Sequence, residues 1–220
     1  IVLDIYQNTR GTIDLNITIA NVVLPNKAVA YVEASFDDIY NVTVGETVYP
    51  VTVTNGHGQV ELNELPAGTY LAMLSHVDND EFHDAYNLTT FHVTKAQSTT
   101  TISTTNATPT FGNDVTITPT VKSEDGTVTI TDGTIVYTVD GKNYASLEAN
   151  QDLILTGLSA GEHRVVAKFG GNDGYEPSTS LELLINVQKA QITLSIVGDE
   201  VVYPESGKIT LNSNVDGVYT

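Results

Sequence analysis

The chain has 220 residues, with 27 Asp and Glu against 9 Lys and Arg, for a formal net charge of −18. That balance excludes a conventional nucleic-acid binder, which needs a basic footprint to displace phosphate counterions. The absence of cysteine excludes disulfides, thiolate metal sites and a cysteine nucleophile. The 40% apolar share supports a packed core, and no apolar run approaches the roughly 18 residues of a membrane-spanning helix. The chain opens in Ile1-Val2-Leu3-Asp4-Ile5 without a start methionine or signal peptide, and reads as a piece of something longer.

In chain order, Ile13, Leu15, Ile17 and Ile19 alternate with polar residues, a period of two that only a half-buried strand satisfies. Val51-Thr-Val53, Val115-Thr-Ile-Thr118 and Ile135-Val-Tyr-Thr-Val139 repeat the pattern. Turn dipeptides separate the runs: Asn55-Gly56, Asp125-Gly126, Asp132-Gly133, Asp140-Gly141 and Gly170-Gly171. Short strands with frequent turns predict an all-β sandwich or barrel. Residues 180–187 fit a helical period as well as a strand.

Self-comparison resolves that ambiguity. Leu62-Asn-Glu-Leu-Pro-Ala-Gly-Thr-Tyr70 matches Leu155-Thr-Gly-Leu-Ser-Ala-Gly-Glu-His163 at an offset of 93, and Phe91-His-Val-Thr-Lys-Ala-Gln97 matches Ile185-Asn-Val-Gln-Lys-Ala-Gln191 at 94. Residues 180–187 therefore pair with a Thr-rich alternating stretch and read as a strand. Ala30-Tyr31 against Val136-Tyr137, at an offset of 106, places about ten extra residues of the first repeat around 36–42. The predicted units are residues 1–95, 96–189 and a third, cut short, at 190–220. Repeats of ~94 residues have the size of an immunoglobulin-like sandwich, with Tyr70 as a tyrosine-corner candidate that His163 replaces in the second copy. The joints, Val93-Thr-Lys-Ala-Gln97 and Val187-Gln-Lys-Ala-Gln191, lack a flexible spacer. The expected architecture is all-β: tandem immunoglobulin-like β-sandwiches forming a rod.

Phe111-Gly-Asn-Asp-Val-Thr-Ile-Thr, Val139-Asp-Gly-Lys, Gly157-Leu-Ser-Ala-Gly-Glu-His and Phe169-Gly-Gly-Asn-Asp-Gly-Tyr-Glu-Pro-Ser resemble bacterial Ig-like repeats, with the greatest similarity to those of adhesin-like proteins of methanogenic archaea. The resemblance is clear over 96–189, weaker over 1–95 and partial over 190–220. It implies a non-enzymatic, secreted or surface-anchored protein whose tandem repeats serve attachment or display. The partners it implies are other cells, surface glycans or proteins, or copies of the chain itself. An alternative is a glycan- or cell-wall-binding module acting through the loops at 36–41 and 170–178.

Several residue patterns carry possible chemistry. Gly157-Leu-Ser-Ala-Gly161 fits a nucleophile elbow, but that motif needs a helix after the serine, and Pro66 holds the equivalent position in the first copy. His76, Asp78, Asp80, Glu81, His83 and Asp84 form a metal-like cluster against which the plain alternative is a solvated loop. N-glycosylation sequons occur at Asn16, Asn41, Asn87 and Asn106. Lys168, a cross-link candidate, alternates to the solvent face. Asp37, Asp38 and Glu64 from one unit and Asp125, Asp132 and Asp173 from the next are expected to meet at the joint, with calcium as the neutralising cofactor. Residues 191–220, with about two strands, would either be a truncated unit or donate strands to a neighbouring chain.

Overall fold

The alternating Val, Ile and Thr runs become strands whose odd and even residues separate into buried and exposed faces. The structure, a computed structural model, describes residues 10–76 and 81–214. Every element among them is a strand.

The first unit is two sheets face to face. One contains β1 (Leu15–Ile19), β3 (Ala28–Ala34) and β6 (His57–Leu62) in the order β1-β3-β6. The other contains β2 (Val22–Val23), β4 (Ile39–Val44), β5 (Thr47–Thr52), β7 (Gly68–His76) and β8 (Ala85–Thr94), in the order β2-β8-β7-β4-β5. All pairings are antiparallel except β2 with β8. Ile17, Val32 and Leu62 of the first sheet and Tyr40, Val42, Leu74 and Phe91 of the second form the core. Fully burying each such side chain is worth about 1.5–3 kcal/mol.

The second unit repeats the plan. β9 (Ser98–Ser103), β10 (Val115–Ser123) and β13 (Leu153–Leu155) form one sheet. β11 (Thr134–Val139), β12 (Lys142–Glu148) and β14 (Gly161–Phe169) form the other, where β15 (Ser178–Thr179) and β16 (Leu183–Val187) both pair with β14. Ile117 and Leu155 pack with Ile135, Tyr137, Phe169 and Ile185. The molecule is all-β with an immunoglobulin-like sandwich fold, and residues 180–187 contain β16, a strand, as the repeat requires.

One alignment fails. Tyr137 lies opposite Ala167 on β14, whereas the residue opposite Leu74, the counterpart of Ala167, is Val42. Tyr137 is thus the counterpart of Val42, not of Tyr31, which is exposed on β3. The longer connection also belongs to the second unit, with ten residues between β10 and β11 against four between β3 and β4. A two-residue match in an alternating strand does not fix register, because each strand offers the same local pattern every second residue.

Between β8 and β9 stand three residues, held by the second unit, while the end of β8 just before them is held by the first. The Leu24 N–H donates to the Thr94 carbonyl at 2.9 Å, Ala96 N–H to Gly174 O at 2.9 Å, and Glu176 N–H to Ala96 O at 2.8 Å. The Lys95 amine donates to the Asn172 carbonyl. After the second unit, β17 (Leu194–Gly198) and β18 (Ile209–Ser213) form a two-stranded hairpin whose Ile196, Ile209 and Leu211 are exposed.

Candidate functional site

The turn leading into β7 and its copy before β14 carry the most specific side-chain chemistry of the two units. In the first, the Tyr70 hydroxyl donates to the Pro66 carbonyl at 2.7 Å, and its ring stacks on Phe91 at 5.5 Å. In the second, His163 Nε2 lies 2.9 Å from the Ser159 carbonyl, the same four-residue reach. His163 Nδ1 lies 2.8 Å from Asp140 Oδ2, and Asp140 Oδ1 accepts the Arg164 N–H at 2.9 Å. Asp140 and Gly141 both have positive φ, 52° and 76°, which aims this hairpin turn's carboxylate back at β14. The sequence reading found the substitution of Tyr by His but missed Asp140, although its Asp-Gly turn dipeptide was the signal.

A carbonyl only accepts, so Nε2 carries a proton; the carboxylate likewise takes its hydrogen bond from Nδ1–H. The pair of acceptors therefore favours the doubly protonated ring, an imidazolium. Its pKa is raised from the ordinary histidine value, first by the Asp140 hydrogen bond and then by the Ser159 carbonyl, against the opposing effect of burial. The same contact, with the Arg164 N–H, holds Asp140 below the usual carboxylate range. Ser159 Oγ lies 3.4 Å from Nε2, so serine, histidine and aspartate do sit together. This imidazolium has no lone pair with which to take the serine proton, and Gly157 to Gly161 joins two strands instead of a strand and a helix. The arrangement is a corner clamp.

The six carboxylates expected at the joint do not converge. Asp37 Oδ1 and Oδ2 accept the Gly56 and Asn55 N–H groups at 2.9 and 2.8 Å, bonds that lower its pKa. Asp38 lies 3.3 Å from His76 Nε2. His76 ends β7 at the edge of the sandwich farthest from Gly68, which pairs with Val93 beside the linker. Both aspartates are therefore at the wrong end of the unit. The error was one of topology: the β3–β4 connection crosses at the end opposite the linker.

Glu64 and Asp173 line one cleft of about 480 Å³ between the units. Asp125 accepts hydrogen bonds from Ser123 and Thr127, which lower its pKa, and Asp132 accepts the Asn172 amide at 3.0 Å. Among the described residues no three His, Cys, Asp or Glu side chains are grouped to hold a metal ion. Of the suspected cluster after β7, Asp78 and Asp80 lie outside the described residues, and His76 is buried.

The two loops considered for glycan binding are engaged in different ways. At 36–41, the Phe36 ring packs against Phe82 at 4.6 Å, tilted by 45°, and the buried Tyr40 hydroxyl donates to the Phe36 carbonyl at 2.7 Å. The loop at 170–178 grips the linker through Asn172, Gly174 and Glu176. Of the sequons, Asn16 and Asn106 are exposed, Asn41 is half-buried on β4, and the Asn87 amide donates to the Leu15 carbonyl. Lys168 points outward.

Residues 99–188 match the bacterial Ig-like domain (group 3). This bacterial Ig-like match covers the second unit, with the corner clamp inside it. No curated protein matches the chain significantly. Solved structures of similar fold include the fibronectin(III)-like modules of Clostridium thermocellum CbhA, at 15% identity over 79% of this chain and 95% of that one, with a TM-score of 0.32. The Yersinia pseudotuberculosis adhesin InvE is similar at 15% identity over 79% and 59%, TM-score 0.39. The titin domains z1z2 in complex with telethonin are similar at 14% over 83% and 100%, TM-score 0.40. No helix among the described residues is long and apolar enough to cross a membrane.

Proposed function

We propose that the chain is a structural segment of a secreted or surface-anchored adhesin-like protein of archaeal type. In this reading the sandwiches follow one another as a stiff stalk that displays or attaches a binding region to other cells, surface glycans or proteins. The observation that carries it is the linker: only three residues, with Lys95 and Ala96 hydrogen-bonded to the 170–178 loop and the Gln97 carbonyl to the Glu124 N–H of the second unit. A net charge of −18 keeps such a stalk soluble and resists its folding back on itself. The clamped imidazolium supports a non-enzymatic role for the Ser159 turn, because the apparent catalytic chain is spent on holding the corner.

The test is small-angle scattering of the whole chain together with a glycan array. Two sandwiches of about 30–40 Å end to end give a longest dimension of about 60–80 Å. A stalk shows that length and leaves the array blank. A compact particle would remove the stalk, and specific glycan binding lost on changing the 36–41 or 170–178 loop would install the lectin-like alternative.

A further inference from the structure

The outward face of the β8-β7-β4-β5 sheet differs from the rest of this acidic molecule. Ile39, Val48, Leu71, Met73, Tyr86 and Leu88 all point to solvent there, Tyr86 at 72% exposure and Ile39 at 62%. The register makes them contiguous: Leu88 stands opposite Met73, Met73 opposite Thr43, and Thr43 opposite Val48, so one row crosses all four strands. The next row holds Tyr86, Ser75, Asn41 and Pro50. The outward positions of these strands, all among the described residues, include no Asp, Glu, Lys or Arg. The corresponding face of the second unit is charged, with Glu162, Arg164 and Lys168 outward on β14 and Arg164 paired to Glu162 and Glu182 at 2.8 and 2.6 Å.

We infer that this face of the first unit is a self-association surface, docking against the same face of a second copy. A chain of charge −18 carries the same net charge as its own copy, and carboxylates brought together are repelled. This face approaches its twin without that repulsion. A basic partner would call for acidic residues here, and a nucleic acid or acidic partner for basic ones; neither is present. Two flat sheet faces also pack at the ordinary separation of about 10 Å. Four strands spaced about 4.8 Å, used over roughly 20 Å, give a footprint of about 400 Å² per copy. That is about 800 Å² in total, the size of a weak and reversible contact. For its setting the inference rests on the display reading, in which chains held side by side at one surface multiply such a contact.

The experiment is sedimentation equilibrium of the full chain, made without glycosylation because the Asn41 sequon lies on this face. The concentration range is about 10 μM to about 1 mM, suited to a weak contact. The average mass rises toward a dimer with concentration, and more so in higher salt, which screens the remaining repulsion. Leu88→Glu and Val48→Glu, on opposite sides of the face, each weaken association by at least about tenfold. Ile196→Glu, on the apolar β17–β18 hairpin, leaves it unchanged. Thermal melts confirm that each variant keeps both unfolding transitions; if Leu88→Glu fails to fold, Val48→Glu on the edge strand decides. A monomer throughout, association weakened by salt, association surviving the face variants, or association lost only with Ile196→Glu overturns the inference. An elongated monomer would remove this contact and leave the stalk standing, whereas a dimer of compact chains would do the reverse.

Discussion

The two units close the same corner with different chemistry. Tyr70 reaches the Pro66 carbonyl with a neutral hydroxyl whose ring lies on Phe91. His163 reaches the Ser159 carbonyl with a charged ring pinned by Asp140. The backbone requirement is identical, a donor reaching four residues back, so the repeat conserves a hydrogen bond while exchanging the group that makes it. What the exchange adds is a dependence on protonation that the first unit lacks.

The largest effect that can separate the units comes from their cores. Phe91 and Ile185 are counterparts and both fully buried. Phe91→Ala should cost about 3–5 kcal/mol and Ile185→Ala about 2–5. Each should lower only its own transition in a calorimetric scan, and joint loss of both transitions would mean that the units do not unfold separately. The corner comes next. His163→Ala should cost about 2 kcal/mol, toward the lower range for charge-assisted bonds because Asp140 is half in water.

A pH titration sharpens the same contrast. The folded pKa of His163 is raised above 6.5, so its stabilisation is complete below that value and is lost as pH rises through the folded pKa. Asp140 is depressed, so its share is present above 3.8 and lost as pH falls through its own folded pKa. Denaturant melts of the second unit should therefore be most stable between these limits and weaken toward alkaline pH. His163→Tyr should flatten the alkaline loss; a slope that survives in that variant would point to another group.

A smaller effect distinguishes two buried tyrosines. The Tyr40 hydroxyl donates to Phe36, whereas the Tyr137 hydroxyl is buried without a partner, and burial, with Asp152 nearby, pushes its pKa up to about 12. Tyr40→Phe should cost about 1 kcal/mol, while Tyr137→Phe should be neutral or slightly stabilising, since it removes an unsatisfied group. Equal costs in chemical denaturation would contradict that difference. The smallest effect concerns calcium. With Asp37 and Asp38 away from the joint, melting curves in calcium and in chelator at equal ionic strength should coincide; a calcium-dependent rise would reveal a site among Glu64, Asp125, Asp132 and Asp173.

The fold was legible because alternation and turn dipeptides are local: Ile13 to Ile19 and Asp140-Gly141 declare strand and hairpin without reference to anything distant. The repeat extended that reading to 180–187, where periodicity alone was undecided. What stayed hidden depends on topology. Asp37 and Glu64 carry the same charge in sequence, yet the first caps the Asn55-Gly56 turn and the second lines the cleft between units. Likewise the Ser159 turn showed its serine but not its imidazolium, because Asp140 arrives from another hairpin.

The parallel pairing at the ends of each sandwich has a mechanical consequence. Val22 and Val23 run alongside Val93 and Thr94, and in the second unit Phe111 and Gln188 exchange backbone bonds with the opposite segment at 2.7 Å. Tension applied along the chain pulls the entering and leaving segments of a unit in opposite directions, parallel to the strands. The bonds between them are then sheared together instead of being peeled open one after another. A unit wired in this way yields at higher force than a hairpin opened from its end, and the three-residue linker passes that force on with little slack.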